Sequence, residues 1–205
     1  MLFLDFKQHF APFKVFSTQD ITKWNPDFDT RRLVEWQNKN YIRRIINRWY
    51  MFVEPLDLDT MYLVSNRIYA PSYISFESAL AYYQLIPEAV FSLTAATTLT
   101  TKTFDTAIGQ FRYRHIKPKM MFGYKLIEAD GVLIKMVEPE KMLVDYLYLN
   151  SRITTPEHFE GLRINAVELD RILNRQRLQE YVEIVGNRQL GKRIGEFMKT
   201  VLGHA

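Results

Sequence analysis

The chain has 205 residues, of which 47% are hydrophobic and 14% aromatic; it contains no cysteine and carries a formal net charge of +4 at pH 7. This composition supplies core material for one large or two small domains and excludes wholesale disorder, a disulfide framework and thiolate metal sites. No apolar run approaches the roughly 20 residues of a membrane span, and the opening MLFLDFKQHF has no basic start or cleavage site of a signal peptide. A cytoplasmic protein without a membrane partner is expected.

The charge is spread unevenly. Lys and Arg number nine against six Asp and Glu over residues 1–54, nine against ten over 55–149, and nine against seven over 150–205. Such a bias permits nucleic-acid binding without demanding it.

Residues 1–56 read as a small helix-rich unit ending in a hairpin. Leu4, Phe6 and Phe10 mark a first helix. Ser17 followed by Asp20 resembles a capping box at the start of a second helix, and Asn25-Pro26-Asp27 marks a turn. Asp29 can cap a third helix, TRRLVEWQNKN, with Leu33, Trp36 and Gln37 inward. Tyr41, Ile42 and Ile45, then Trp49, Tyr50 and Phe52, form strand-like runs on either side of Ile46-Asn47-Arg48. This order is that of a winged helix–turn–helix. Its chemistry requires a helix that offers side chains to base edges and a hairpin that offers cations to phosphates. Arg31 and Arg32, with Thr30, Glu35 and Asn38, are the candidates for the first role; Arg43, Arg44 and Arg48 are those for the second. The alternative is an ordinary solvated face that serves only protein contacts.

Glu54-Pro55-Leu56-Asp57 is the expected junction with a second domain, residues 57–205. Leu58 to Tyr69 reads as a helix bearing Met61, Leu63, Val64 and Ile68. Next comes APSYISFESALAYYQLIPE, Ala70 to Glu88, an extended lead-in and a short amphipathic helix. Ser75 is its expected N-cap, and Phe76, Ala79, Leu80 and Tyr83 make one apolar face. Period-two alternation from Val90, expected strands at Phe104–Ile108 and Phe111–Ile116 with Gly109-Gln110 at the turn, and a hairpin around Asp130-Gly131 predict an antiparallel sheet of four or five strands over about 90–137. Arg112, Arg114, His115, Lys117, Lys119 and Lys125 fall in a stretch without acids. They read either as a charged, protected edge or as a basic surface for a partner, with Arg112, Arg114, Lys117 and Lys119 as its candidates.

Pro139 sits in the first turn of a helix whose stripe is Met142, Leu143, Tyr146 and Leu147. From about 154 to 203 the chain reads as helical, with Gly191 and Gly195 spaced for close helix packing. The fold class expected is therefore α+β: an N-terminal winged helix–turn–helix, an antiparallel sheet domain and a helical C-terminal region.

Three segments carry a family resemblance: F-x-x-x-D-I…L-x-x-W-x-x-K-x-Y-I-x-R from Phe16 to Arg43, the Ala70–Glu88 stretch, and VEPEKMLVDYLYLN around Pro139 to Leu147. Together they resemble the AbiEi family of antitoxins from type IV toxin–antitoxin systems. The resemblance implies a winged-helix repressor of its own operon that binds operator DNA. It further implies an α/β antitoxin domain that counteracts a cognate nucleotidyltransferase toxin, with or without stable binding. The chain departs from the family pattern at three glycines: at Asn40, at Asn47-Arg48-Trp49 in the wing, and at Gln84. A solitary regulator or a protein-interaction adaptor is the alternative. No Gly-Ser dipeptide, G-x-G-x-x-G, P-loop or carboxylate-x-Lys nuclease spacing is present in the regions that would use it, so neither enzyme activity nor a cofactor is expected.

Overall fold

The computed structural model describes residues 2–88 and 90–203; Met1 and Ala205, the outer limits assigned from sequence, lie outside them. The fold is mixed α and β, and two sheets organise it.

The first sheet belongs to the N-terminal unit: α1 (Phe3–Phe10), β1 (Val15–Ser17), α2 (Thr18–Trp24), α3 (Arg31–Asn38), β2 (Ile42–Ile46) and β3 (Trp49–Phe52). Its antiparallel order is β1-β3-β2. The Ser17–Asp20 capping box forms as the sequence predicts: the Ser17 Oγ accepts from the Asp20 amide at 3.1 Å, and the Asp20 carboxylate accepts from the Ser17 amide at 2.8 Å. Phe6, Phe10, Phe16, Ile21, Leu33, Trp36, Ile42, Tyr50 and Phe52 make an aromatic core on one face of this sheet. Leu4 of α1 is 73% exposed, because Phe6 and Phe10 define the inward stripe of a two-turn helix.

The opposite face of the small sheet presents Val15, Ile45 and Met51 to the second, larger core. Ile45 lies on that face by alternation with Arg43, opposite Met51, and the register shift between Arg44 and Ile46 brings Ile46 to the same side, opposite Trp49. Between the two sheets runs α4 (Leu58–Ile68), which contacts β1 on one side and the large sheet on the other. Tyr62, Leu63, Val64, Ser65, Asn66 and Ile68 are therefore all buried, more than one amphipathic stripe would supply. Asp57 caps α4 by accepting from the Thr60 amide at 2.6 Å, and the Thr60 hydrogen bonds hold its carboxyl below the ordinary carboxylate value. Replacing Asp57 with alanine is expected to cost about 1 kcal/mol. Because the folded-state pKa is lowered, the wild-type advantage is full above the ordinary value of 3.8 and fades as pH falls through the lowered one. Urea midpoints of the two proteins at neutral and acid pH check this.

The second sheet has six strands in the order β6-β7-β5-β4-β9-β8. They are β4 (Ser72–Ile74), β5 (Ser92–Thr97), β6 (Lys102–Thr106), β7 (Gly109–His115), β8 (Tyr124–Ala129) and β9 (Val132–Val137), with α5 (Phe76–Tyr82) between β4 and β5. The expected antiparallel sheet of four or five strands is corrected to a six-stranded mixed one. β4 and β5 form a central antiparallel pair, and the hairpins β6–β7 and β8–β9 flank it, docking through parallel β5–β7 and β4–β9 pairings. Alternation in sequence fixes which face a residue takes but not which strand lies beside it. The β6–β7 turn falls at Ala107-Ile108, ahead of the expected Gly109-Gln110. Asp130 and Gly131 both have positive φ, the geometry of the two-residue hairpin their sequence announces.

Tyr113 anchors α4 to one face of this sheet, its hydroxyl donating to the Ser65 carbonyl at 2.7 Å. α5 and α6 (Pro139–Leu149) cover part of the other face. The remaining helices, α7 (Pro156–Glu160), α8 (Ala166–Ile172), α9 (Arg175–Val185) and α10 (Arg188–Leu202), add Phe159, Leu169, Leu178, Leu190, Ile194 and Phe197 to the core. Gly191 meets Val182 closely, as expected of a packing glycine, whereas a Cβ on Gly195 would meet nothing within 4 Å.

Candidate nucleic-acid interface

In the N-terminal unit α3 is seated by Leu33 and Trp36, the latter ring standing 4.7 Å from Phe6 and 5.1 Å from Phe3. Burying that stripe turns Thr30, Arg31, Glu35 and Asn38 to solvent, with Arg32 half-buried. Two of these candidates are already engaged. Arg31 makes a forked pair with Asp29, Nε to Oδ1 at 2.9 Å and Nη2 to Oδ2 at 2.9 Å, and this hydrogen bonding lowers the Asp29 pKa. The Asp29 Oδ1 also accepts from the Arg31 amide at 3.0 Å, which is how it caps α3. Glu35 pairs with Lys39 at 2.6 Å. Exposed pairs of this kind are worth at most about 1 kcal/mol and exchange readily for another partner. Arg32 and Asn38 have no side-chain partner among the described residues.

The hairpin divides its arginines. Arg43, half-buried, lies opposite Met51, and Arg44, exposed, lies opposite Tyr50, on the other side of the strand. Arg48 is exposed at the turn, and its carbonyl accepts from the Thr18 amide at 2.9 Å, tying the hairpin to the start of α2. Arg48 borders a shallow cleft with Thr18, Gln19, Thr22 and Trp49. Among the described residues none of Arg43, Arg44 and Arg48 lies within 4.0 Å of a carboxylate. The base of the hairpin is not free, however: Ile46 and Trp49 pack against the larger core together with Ile45.

All three glycine departures fall where the backbone is left-handed, at Asn40 (φ 57°), Arg48 (φ 68°) and Gln84 (φ 56°). Asn40 and Gln84 close α3 and α5 through the same motif, with Tyr41 N–H bonded to the Trp36 carbonyl and Leu85 N–H to the Leu80 carbonyl. The helix end at Gln84 therefore keeps the glycine geometry despite the substitution, contrary to the altered end its sequence suggests.

Of the second basic surface, Arg112 and Arg114 share a face of β7 and line a cleft of about 520 Å³. Arg112 donates to Gln110 at 2.6 Å, while Arg114 lies 3.7 Å from Glu77 and over the Phe76 ring. Lys119, redirected by the short turn at Pro118–Met120, donates to the Val185 carbonyl at 2.7 Å and so closes α9. Lys117 remains exposed. His115 is structural, with Nδ1 2.9 Å from the Leu99 carbonyl oxygen.

Sequence reasoning missed a buried polar cluster that joins the two most distinctive segments. Tyr73 donates to Asp145 at 2.7 Å and Ser75 donates to the same carboxylate at 3.1 Å. Lys141 completes the cluster, paired with Asp145 and donating to the Tyr73 hydroxyl at 3.0 Å. Burial pushes the Asp145 carboxyl up and the Lys141 ammonium down, each opposed by the partner's charge. Ser75 thus takes the expected N-cap position of α5 but makes no capping hydrogen bond, its hydroxyl donating to Asp145 instead. The visible signal was a Lys and an Asp four apart in a helix that is otherwise apolar beyond its first turn. All four side chains are fully buried, and a cluster with no solvent access serves the fold.

Among the described residues no helix is long and apolar enough to cross a membrane. No protein-family model matches the chain, and no curated protein matches it. Among solved structures it is similar to the crystal structure of the RV2827C protein from Mycobacterium tuberculosis. The TM-score is 0.58 at 12% identity, over 91% of this chain and 72% of that one. At that identity the likeness concerns the fold alone.

Proposed function

We propose that residues 1–56 are a winged helix–turn–helix that binds operator DNA, and that the protein is a non-enzymatic, autorepressing AbiEi-type antitoxin countering a nucleotidyltransferase toxin. The observation that carries the DNA-binding part is the helix–strand–helix–helix–hairpin order closed by a β1-β3-β2 sheet, with α3 turning a polar face to solvent. The unpaired Arg32, Arg43, Arg44 and Arg48 supply the cations such a module needs. The antitoxin part rests on the three resembling segments, two of which meet in the buried Tyr73–Ser75–Lys141–Asp145 cluster.

A gel-shift titration of the purified protein on the DNA upstream of its own gene tests the first part, with retarded complexes expected at low salt. Absence of any complex there would sink it. Co-expression with a cognate nucleotidyltransferase toxin tests the second, the expected result being restored growth. One observation favours the adaptor reading instead: the hairpin is partly docked on the larger core and Arg31 and Glu35 are self-paired. Under that reading charge reversal of Arg32, Arg44 and Arg48 leaves the rescue intact and no DNA is bound.

A further inference from the structure

The N-terminal unit contains a cleft lined by none of the candidate DNA-facing residues. It has a volume of about 370 Å³ and is bounded by α1, the turn that follows it, β1, α2 and Arg67 of α4. Its lining is aromatic. Phe10 and Phe16 are buried, Phe13 is 45% exposed, and Trp24 meets Phe10 edge-on at 5.4 Å. The His9 ring lies flat on Trp24 at 4.4 Å with an interplanar angle of 13°.

Three charged side chains join these rings. Asp20 is consumed, since its carboxylate accepts from both the amide and the hydroxyl of Ser17. Lys23 and Arg67 are exposed, and among the described residues neither has a carboxylate within 4.0 Å. The cleft therefore combines flat apolar walls with two cations against one carboxylate, whose oxygen is already hydrogen-bonded to Ser17.

We propose that this cleft binds a small planar aromatic carboxylate, its ring against Trp24 and Phe13 and its carboxylate held by Arg67 and Lys23. The volume lies within the range of small-ligand sites, roughly 300–1,000 Å³. Aromatic walls favour a flat ring over an aliphatic chain. Arg and Lys favour a carboxylate over a neutral group because a charge-assisted hydrogen bond is about twice as strong as a neutral one. Because β1 and α2 belong to the N-terminal unit and Arg67 to α4, the occupant bridges that unit to the rest of the chain. The inference is independent of the DNA-binding reading and is tested without DNA.

The test is calorimetric titration of the full chain with 2-naphthoate, its neutral counterpart 2-naphthamide, and the non-aromatic cyclohexanecarboxylate. The expected result is saturable one-to-one binding of 2-naphthoate, with each comparator about tenfold weaker or worse. Arg67→Ala and Lys23→Ala should each weaken 2-naphthoate by about tenfold, the size of one charge-assisted contact. Both positions are exposed, and circular dichroism checks that each variant is folded; if one is not, the other decides. No saturable binding at millimolar 2-naphthoate, equal binding of the amide, or unchanged binding by the folded variants each overturns the proposal.

Discussion

Asp145→Ala should destabilise the protein by about 3–5 kcal/mol, the largest effect expected of any single substitution outside the aromatic core. The removed carboxylate accepts from Tyr73 and Ser75 and pairs with Lys141. Its loss strands an ammonium that is 0% exposed, facing one hydroxyl and the rings of Tyr73 and Phe122 at 5.5 and 5.0 Å. Neither ring offsets the desolvation of a full charge. The double variant Lys141→Met, Asp145→Leu should therefore lose less stability than Asp145→Ala alone, since an apolar pair of similar volume leaves no charge behind. Urea denaturation of the wild type, Lys141→Met, Asp145→Leu and the double closes the cycle. Additive costs would show that the pair is not coupled. The position has no slack on its other side either, because a Cβ on Gly123 would sit 2.8 Å from the Lys141 Cβ and Cγ.

The second large effect concerns DNA. If Arg43, Arg44 and Arg48 hold phosphates, replacing all three with alanine should flatten the dependence of log K on log salt by about three units, one per contact. The weakening should be nearly uniform across sequences. Arg32→Ala should behave differently, costing about 1–3 kcal/mol on operator DNA and little on random DNA, as loss of a base contact does. Arg31→Ala should cost less than Arg32→Ala, because Arg31 must first release Asp29. Fluorescence-anisotropy titrations at several salt concentrations separate these cases. A triple variant with an unchanged salt slope would remove the hairpin from the interface.

Much of the local structure was legible in the chain. The Ser17–Asp20 box, the Asp130-Gly131 turn and Pro139 at the start of α6 are short-range devices whose partners lie within a few residues. Asp29 capping α3 was legible for the same reason, although its fork onto Arg31, two residues away, was overlooked. Long-range arrangements were not. The parallel seams of the large sheet depend on which hairpin docks where, and alternation is silent on that. Tyr73 and Asp145 are 72 residues apart, so nothing near Ser75 shows that its hydroxyl is committed elsewhere. Lys119 read as a surface cation until the end of α9 arrived beside it. The positions of the candidate arginines on α3 and the hairpin could be read from the element order, whereas the turn at Pro118–Met120 that redirects Lys119 could not.

The docking of the small sheet bears on how freely this protein can be dismantled. Val15, Ile45 and Met51 belong to the same apolar cluster as the large sheet, and Ile46 and Trp49 lean on it. Cutting the chain near Pro55 would bare both halves of that contact at once. Neither piece is an exchangeable cassette: grafting residues 1–56 onto another partner would expose a sticky β-face, while a headless remainder would present the matching side of α4. Reach and orientation are likewise set by packing and not by a tether, so the five residues from Val53 to Asp57 act as a short strap across a joint already closed.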